Sequence, residues 1–437
     1  MSDFHVFDYV FPGAVLLVTA LVLMARRPSA HAPVLVLLFL WVFVFAAHWL
    51  ALAFDMIALF PSGLVPNALV MFSVLTVTLS YVFWRRALGK VMGTAHAGID
   101  MTQEWDGAQR IPRWIQWALV AFAAAAVILM MRKAAQISET SDIFGSMQLL
   151  RTRLNYEDAS WGLPGYLGIP VTVFGVYMVT LTQGQRLSAR LPAFLVIIAA
   201  LAIAVISTQR TSLFMIAIAL TFALSRKALP SLRIFSILGA ILIGFFLVVG
   251  VLVGKVGQEG ATLGEILVTG LDKVLLYLLT PLSAFDASEI WKYPAGDGAY
   301  SLRFFISLFH RLGLYSGDIQ ELVMEFIWVP LPTNVYTFAY VPISDFGMFF
   351  PFYHAVIGAL LGFVFALPRR RPEVRVLQGF MYYPILMTFF QDQFLTITST
   401  WLQILIVLGL CRLLTRRSRR RSRAAYRPQG GAWSAVT

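Results

Sequence analysis

Arg210 is the first residue whose chemistry needs explaining. It stands in the polar knot Ser207-Thr208-Gln209-Arg210-Thr211-Ser212, inside an otherwise apolar run from Phe194 to Leu224. A guanidinium is planar, permanently charged and shaped for bidentate contact with phosphate. The hydroxyls of Thr208, Thr211 and Ser212 add donors beside it. The same residue also reads as a snorkelling arginine that caps a hairpin at a membrane surface. Two further groups offer cations. "LLRTRLNYEDASWG" carries Arg151 and Arg153; on an extended segment they share a face, whereas on a helix they stand about 200° apart. Arg303, His310 and Arg311 fall at helical spacing in "YSLRFFISLFHRLG", with Arg303 and His310 on one face and Arg311 about 100° round.

Carboxylates Asp286, Glu289, Glu321, Glu325 and Asp345 lie in the same region as Arg303. A general base must reach a hydroxyl within about 3 Å, directly or through one water. Asp345 also suits capping of the apolar segment that follows it. Tyr277, Trp291, Tyr300, Trp328 and Tyr340 are interleaved among them. Such rings serve both as an aromatic belt at a membrane interface and as stacking platforms for sugars. Other chemistries lack their motifs. The outer loops hold no Asp-x-Asp pair, and "EWD" (Glu104 to Asp106) falls on the opposite side. There is no P-loop, no GxSxG and no His-x-x-x-His. With a single cysteine, Cys411, an intramolecular disulfide is excluded. No metal and no cofactor is expected.

The elements that position these groups follow from composition. Of 437 residues, 59% are hydrophobic and 13% charged, far below the quarter charged of soluble domains. An all-α polytopic integral membrane protein is expected; a β-barrel would alternate in strands of about ten residues. Eleven spans are read at 10–25, 33–54, 62–84, 114–131, 164–184, 191–207, 211–225, 234–254, 346–367, 376–390 and 395–414. No signal peptide is expected, because the N-terminus is acidic where an n-region is basic. With the N-terminus outside, the inner loops and tail hold 24 of the 34 basic residues and 4 of the 22 acidic ones, as the positive-inside rule requires.

That map assigns Arg210 to an outer turn. A single helix over the 31 residues from Phe194 to Leu224 would run about 46 Å and place an arginine mid-membrane at a cost of roughly 2.5–3.5 kcal/mol. A hairpin avoids both. Residues 1–254 then form eight spans with an outer loop 132–163; residues 255–345 form a large outer loop; residues 346–414 form three more spans; and residues 415–437 form a basic inner tail. The large loop begins with "ILVTGLDKVLLYLLTPLSAFDASEI", amphipathic enough to lie in the interface. The tail reads as an anionic-lipid anchor, not a nucleic-acid binder.

The stretches "YLLTPLSAFDASEI", "YSLRFFISLFHRLG" and "TNVYTFAYVPISDFG", in that order after "TQRTSLF", resemble the Wzy-type O-antigen polymerases, which polymerise oligosaccharide repeat units. In motif terms the resemblance covers about residues 140–350; Phe350 stands where many members have glycine. It implies transfer of a glycan from undecaprenyl pyrophosphate to the terminal sugar of another lipid-linked repeat, outside a bacterial inner membrane. It also implies a partner that regulates chain length. Cations that meet the leaving pyrophosphate stabilise the transition state. Arg210, Arg303 and Arg151 are the expected clamp, and Asp345, Asp286 and His310 the expected base candidates. Two alternatives stay open. An O-antigen ligase, acting on lipid A core, shares the arginine logic, and His310 fits it. A lipid-linked glycan transporter would carry more charge within its spans.

Overall fold

The computed structural model describes residues 6–26, 28–91, 111–143, 145–156, 159–225, 231–252, 262–320 and 324–425. The Glu104–Asp106 segment, Glu321 and residues 426–437 of the basic tail lie outside them.

The chain is helical almost throughout. In order come α1 (Phe7–Arg26), α2 (Ala32–Ala53), α3 (Leu64–Val91), α4 (Arg113–Ser138), α5 (Met147–Tyr156), α6 (Gly162–Gly165), α7 (Gly168–Leu181) and α8 (Leu187–Ile206). Then follow α9 (Arg210–Leu224), α10 (Leu232–Leu252), α11 (Leu263–Ala287), α12 (Arg303–Arg311), α13 (Tyr340–Phe346), α14 (Phe350–Ala366), α15 (Pro372–Leu386) and α16 (Thr398–Ala425). The two-residue strands β1 (Ile327–Trp328) and β2 (Pro332–Thr333) pair antiparallel between α12 and α13. Among the described residues, ten helical segments are long and apolar enough to cross a membrane. This is an all-α polytopic membrane protein, as the composition requires.

Hydrogen bonds sort the helix ends onto two faces. On the first, Tyr81 donates to the Ala30 carbonyl (2.9 Å), Arg85 to Phe365 (3.4 Å), Arg369 to Phe222 (2.8 Å) and Arg375 to Gln183 (3.1 Å). These contacts gather the basic connections, so it is called here the basic face. On the second, Asn67 donates to the Asp8 carbonyl (3.0 Å), Ser283 to Phe60 (2.6 Å) and the Phe338 amide to Thr388 (2.9 Å). It gathers the α8–α9 turn and the long 262–345 segment and is called the loop face.

Interhelical glycines set the tightest packing. A Cβ on Gly362 of α14 would lie 3.0 Å from the Tyr81 carbonyl and 3.1 Å from the Arg85 amide of α3. Gly358, one turn earlier, meets the same helix at Val77 and Ser80. Small residues four apart let two backbones approach where apolar burial alone cannot drive association. Gly379 plays the same part between α15 and α9, where a Cβ would lie 2.7 Å from the Ala219 carbonyl.

Two elements depart in detail from the spans read from sequence, and a third has the length of a span where none was read. The fifth span is broken into α6 and α7, and α13 with the short 3₁₀ turn Gly347–Phe349 precedes the ninth. The segment Gly264–Ala287 is long and apolar enough to cross, yet the second half of α11 lies along the loop face. Tyr277 packs on Phe246 of α10 with ring centroids 5.2 Å apart. Nine residues later, Asp286 accepts from the Gly63 amide at the start of α3 (2.7 Å).

Candidate functional site

The Arg210 region is built by a reversal. α8 ends at Ile206, Thr208 adopts φ +57°, and α9 starts at Arg210. The turn sits on the loop face, and the first residue of α9 is the arginine. Its guanidinium carbon lies 4.2 Å from the centroid of Phe246 and 6.0 Å from that of Tyr277. Ring faces hold a cation, by about 2 kcal/mol when desolvated, but they leave N–H donors unspent. Nε and Nη2 of Arg210 are buried without an acceptor. The cation nearest in electrostatic terms is Arg151, and no carboxylate of the described residues pairs with Arg210. A half-dry guanidinium with a second cation nearby and no carboxylate partner among the described residues attracts an anion.

α5 separates the roles of Arg151 and Arg153. Because the segment is helical, the two side chains diverge. Arg153 turns back to Glu139 (2.7 Å) and the Ile137 carbonyl (2.8 Å), and holds the Glu139 carboxyl below its ordinary pKa. Arg151 lies near enough to Arg210 to disfavour its charge.

Across the start of α9 from Arg210 opens a cavity of about 740 Å³, walled by α4, α6 to α9 and α16 and by the α15–α16 connection. The volume is typical of ligand sites. Ser207, Gln209, Thr211 and Ser212 enter it from the reversal, Trp161 and Tyr166 from the α6 region, and Arg311 from α12. Among the described residues no carboxylate lines it. Tyr383 donates to Gln393 (3.3 Å) and bonds Thr211, joining the reversal to the α15–α16 connection. Among the described residues no three His, Cys, Asp or Glu side chains group to hold a metal ion. The arrangement can hold a hydroxyl-bearing ligand in the cavity and an anionic group at the two arginines.

The other expected residues are dispersed. Arg303 on α12 spends Nε on the Gln320 carbonyl (2.6 Å), and partial burial lowers its pKa; it is not among the neighbours that perturb Arg210. Asp345 is buried and accepts from the Tyr300 (3.3 Å) and Ser301 (2.6 Å) amides. It thus anchors the turn before α12, and it does not cap α14, whose N-cap is Phe349. Asp286 holds the Gly63 amide. His310 is exposed on α12 and has no side-chain bond among the described residues. Sequence reasoning did not single out Tyr383 or Gln393, because hydroxyls and amides near a span end carry no spacing signal. Arg311 was noted only for its helical spacing.

Fold and site together define a polytopic α-helical membrane protein with a cationic and polar site on one face, without a paired carboxylate at Arg210 among the described residues. No protein-family profile matches the chain, and no solved structure does. A protein of Escherichia coli K12 described as "Putative O-antigen polymerase" is 33% identical over 138 residues, covering 30% of this chain and 34% of that protein. The chain therefore matches about a third of the length of this curated relative.

Proposed function

We propose that this chain is a glycan polymerase of the bacterial inner membrane. On the outer face it transfers a growing oligosaccharide from undecaprenyl pyrophosphate to the terminal sugar of another lipid-linked repeat. The observation that carries the reading is the buried Arg210 guanidinium, with two donor nitrogens unspent and Arg151 as its charged neighbour, beside a cavity lined by hydroxyls, amides and aromatic rings. The partial similarity to a protein described as an O-antigen polymerase supports the same reading.

In this reading an acceptor hydroxyl attacks the donor's anomeric carbon, the carbon–oxygen bond to the pyrophosphate breaks, and the pyrophosphate keeps the electron pair. Arg210 and Arg151 meet the charge that develops there, which stabilises the transition state more than the ground state. Trp161 and Tyr166 pack on sugar rings, and Arg311 guards the rim. Of the three candidate bases, Asp345 and Asp286 are committed to backbone amides. That leaves His310, next to the cavity residue Arg311 on α12, as the candidate to take the acceptor's proton. Arg303 acts on α12 and not in the clamp. Chain length is set with a separate regulatory protein.

The test is extension of purified lipid-linked repeats. Arg210→Ala is expected to slow transfer by about 10²-fold or more, the scale for loss of one preorganised donor, with Arg210→Lys retaining part. Extension by Arg210→Ala at the wild-type rate would remove the clamp. In cells, deletion should leave a single repeat attached to its carrier or core. A full-length ladder stranded on the carrier would identify a ligase, and an unchanged profile would favour a transporter.

A further inference from the structure

α12 carries its apolar residues on the wrong side for a helix that packs on its own protein. Leu302, at its N-cap, and Phe305, Leu308, Phe309 and Leu312 are 42%, 44%, 42%, 46% and 62% exposed. At 3.6 residues per turn they fall within one arc of about 120°. Arg303 and Ser307, on the opposite arc, are less exposed and turn toward the chain. Nothing among the described residues covers the apolar arc.

Two observations fix the depth of this helix. At its N-terminal end Asp345 holds the Tyr300 and Ser301 amides (3.3 and 2.6 Å), so α12 starts level with the head of α14. At its C-terminal end Arg311 reaches the cavity that Ser212, in the first turn of α9, and Ser399, in the first turn of α16, also line. Both ends therefore lie where apolar helices emerge from the hydrocarbon. The arc is also continuous with exposed apolar surface on the α14 segment. Gly298 sits between Leu302 and Phe346, and beyond Phe346 come Met348, Phe349 and Phe352, 82%, 71% and 75% exposed. His310 and Arg311, both exposed, flank the arc on the polar side, where lipid phosphates lie.

We infer that α12 is a membrane-surface helix, its apolar arc sunk in the boundary between headgroups and acyl chains, where it holds Arg311 at the rim of the cavity. The occupant of the arc is the bilayer itself. An interfacial helix of this kind inserts its apolar face by about 5–10 Å. The inference is independent of the reaction catalysed.

The experiment labels single cysteines with an environment-sensitive maleimide dye in the full chain. Leu308→Cys and Leu312→Cys probe the arc, and Asp318→Cys serves as an exposed control; native Cys411 is buried. The protein is reconstituted in phosphatidylcholine–phosphatidylglycerol nanodiscs with and without lipid carrying a 5-doxyl quencher. Dyes at 308 and 312 should emit to the blue and lose most of their fluorescence to the doxyl lipid, while the control keeps its own. Quenching at 308 and 312 no stronger than at 318 would overturn the inference. So would blue emission that resists the lipid quencher and vanishes on dilution, which would mean a second copy covers the arc. As a second readout, labelled Phe305→Cys should lose its quenching when Leu308→Lys and Leu312→Lys are added; unchanged quenching would count against insertion.

Discussion

Asp392 shows what burial does to one carboxyl. It lies in the α15–α16 connection, fully buried, accepting from the Tyr353 hydroxyl (2.7 Å) and the Phe394 amide (3.2 Å). Desolvation pushes its pKa from 3.8 to about 6. A raised carboxyl binds its proton more tightly in the folded chain than in the unfolded one. Its contribution to stability is therefore greatest below pH 3.8, is lost as pH rises to about 6, and stays lost above. The difference corresponds to about 3 kcal/mol between those limits. Between pH 7 and 5 the thermal midpoint of the wild type should rise relative to Asp392→Asn, whose amide does not titrate. Parallel midpoints across that window would show that Asp392 is not the titrating group. Arg210 illustrates the opposite case, a charge that does not neutralise and is left with unspent donors beside a second cation.

At the scale of elements, close backbone approach decides which helices are neighbours. Gly358 and Gly362 press α14 onto α3 so closely that a Cβ at either meets backbone of the other helix. Gly362→Leu should lower stability by about 1–3 kcal/mol, the usual cost of overpacking. It would be read as an earlier loss of the monodisperse form on heating in detergent, whereas Gly409→Leu, with nothing within 4 Å of a Cβ, should be neutral. Equal behaviour of the two would mean that α3 and α14 do not pack as described. α11 shows that length and hydropathy alone do not define a crossing. Both suit a span, yet contacts at Tyr277 and Asp286 hold its second half against helix ends of one face.

For the whole molecule, the charge map and the hydrogen-bonded faces make one prediction. The face joined by Arg85, Arg369 and Arg375 carries the basic connections, so it should be cytoplasmic. Lys90→Cys on that face should react with a membrane-impermeant maleimide only after cells are permeabilised. Asp318→Cys on the loop face should react in intact cells. The reverse pattern would invert the orientation and move the Arg210 site to the cytoplasm.

Composition and charge by themselves determined that this is an all-α membrane protein with a reversal at Ser207–Ser212, because the cost of putting backbone or an arginine into hydrocarbon leaves few arrangements. They also marked Arg210, since a guanidinium in an apolar run is conspicuous in one dimension. The tertiary structure alone decided which groups meet. It brought Arg151 within electrostatic range of Arg210 and turned Arg153 to Glu139; it bound Asp345 to the turn before α12; and it brought Tyr383 and Gln393 to the cavity wall. Such pairings depend on helix rotation and on contacts between residues far apart in the chain, Asp345 with Ser301 and Tyr383 with Thr211 among them. Hydropathy records how deep a residue lies in the membrane but not which neighbour it faces.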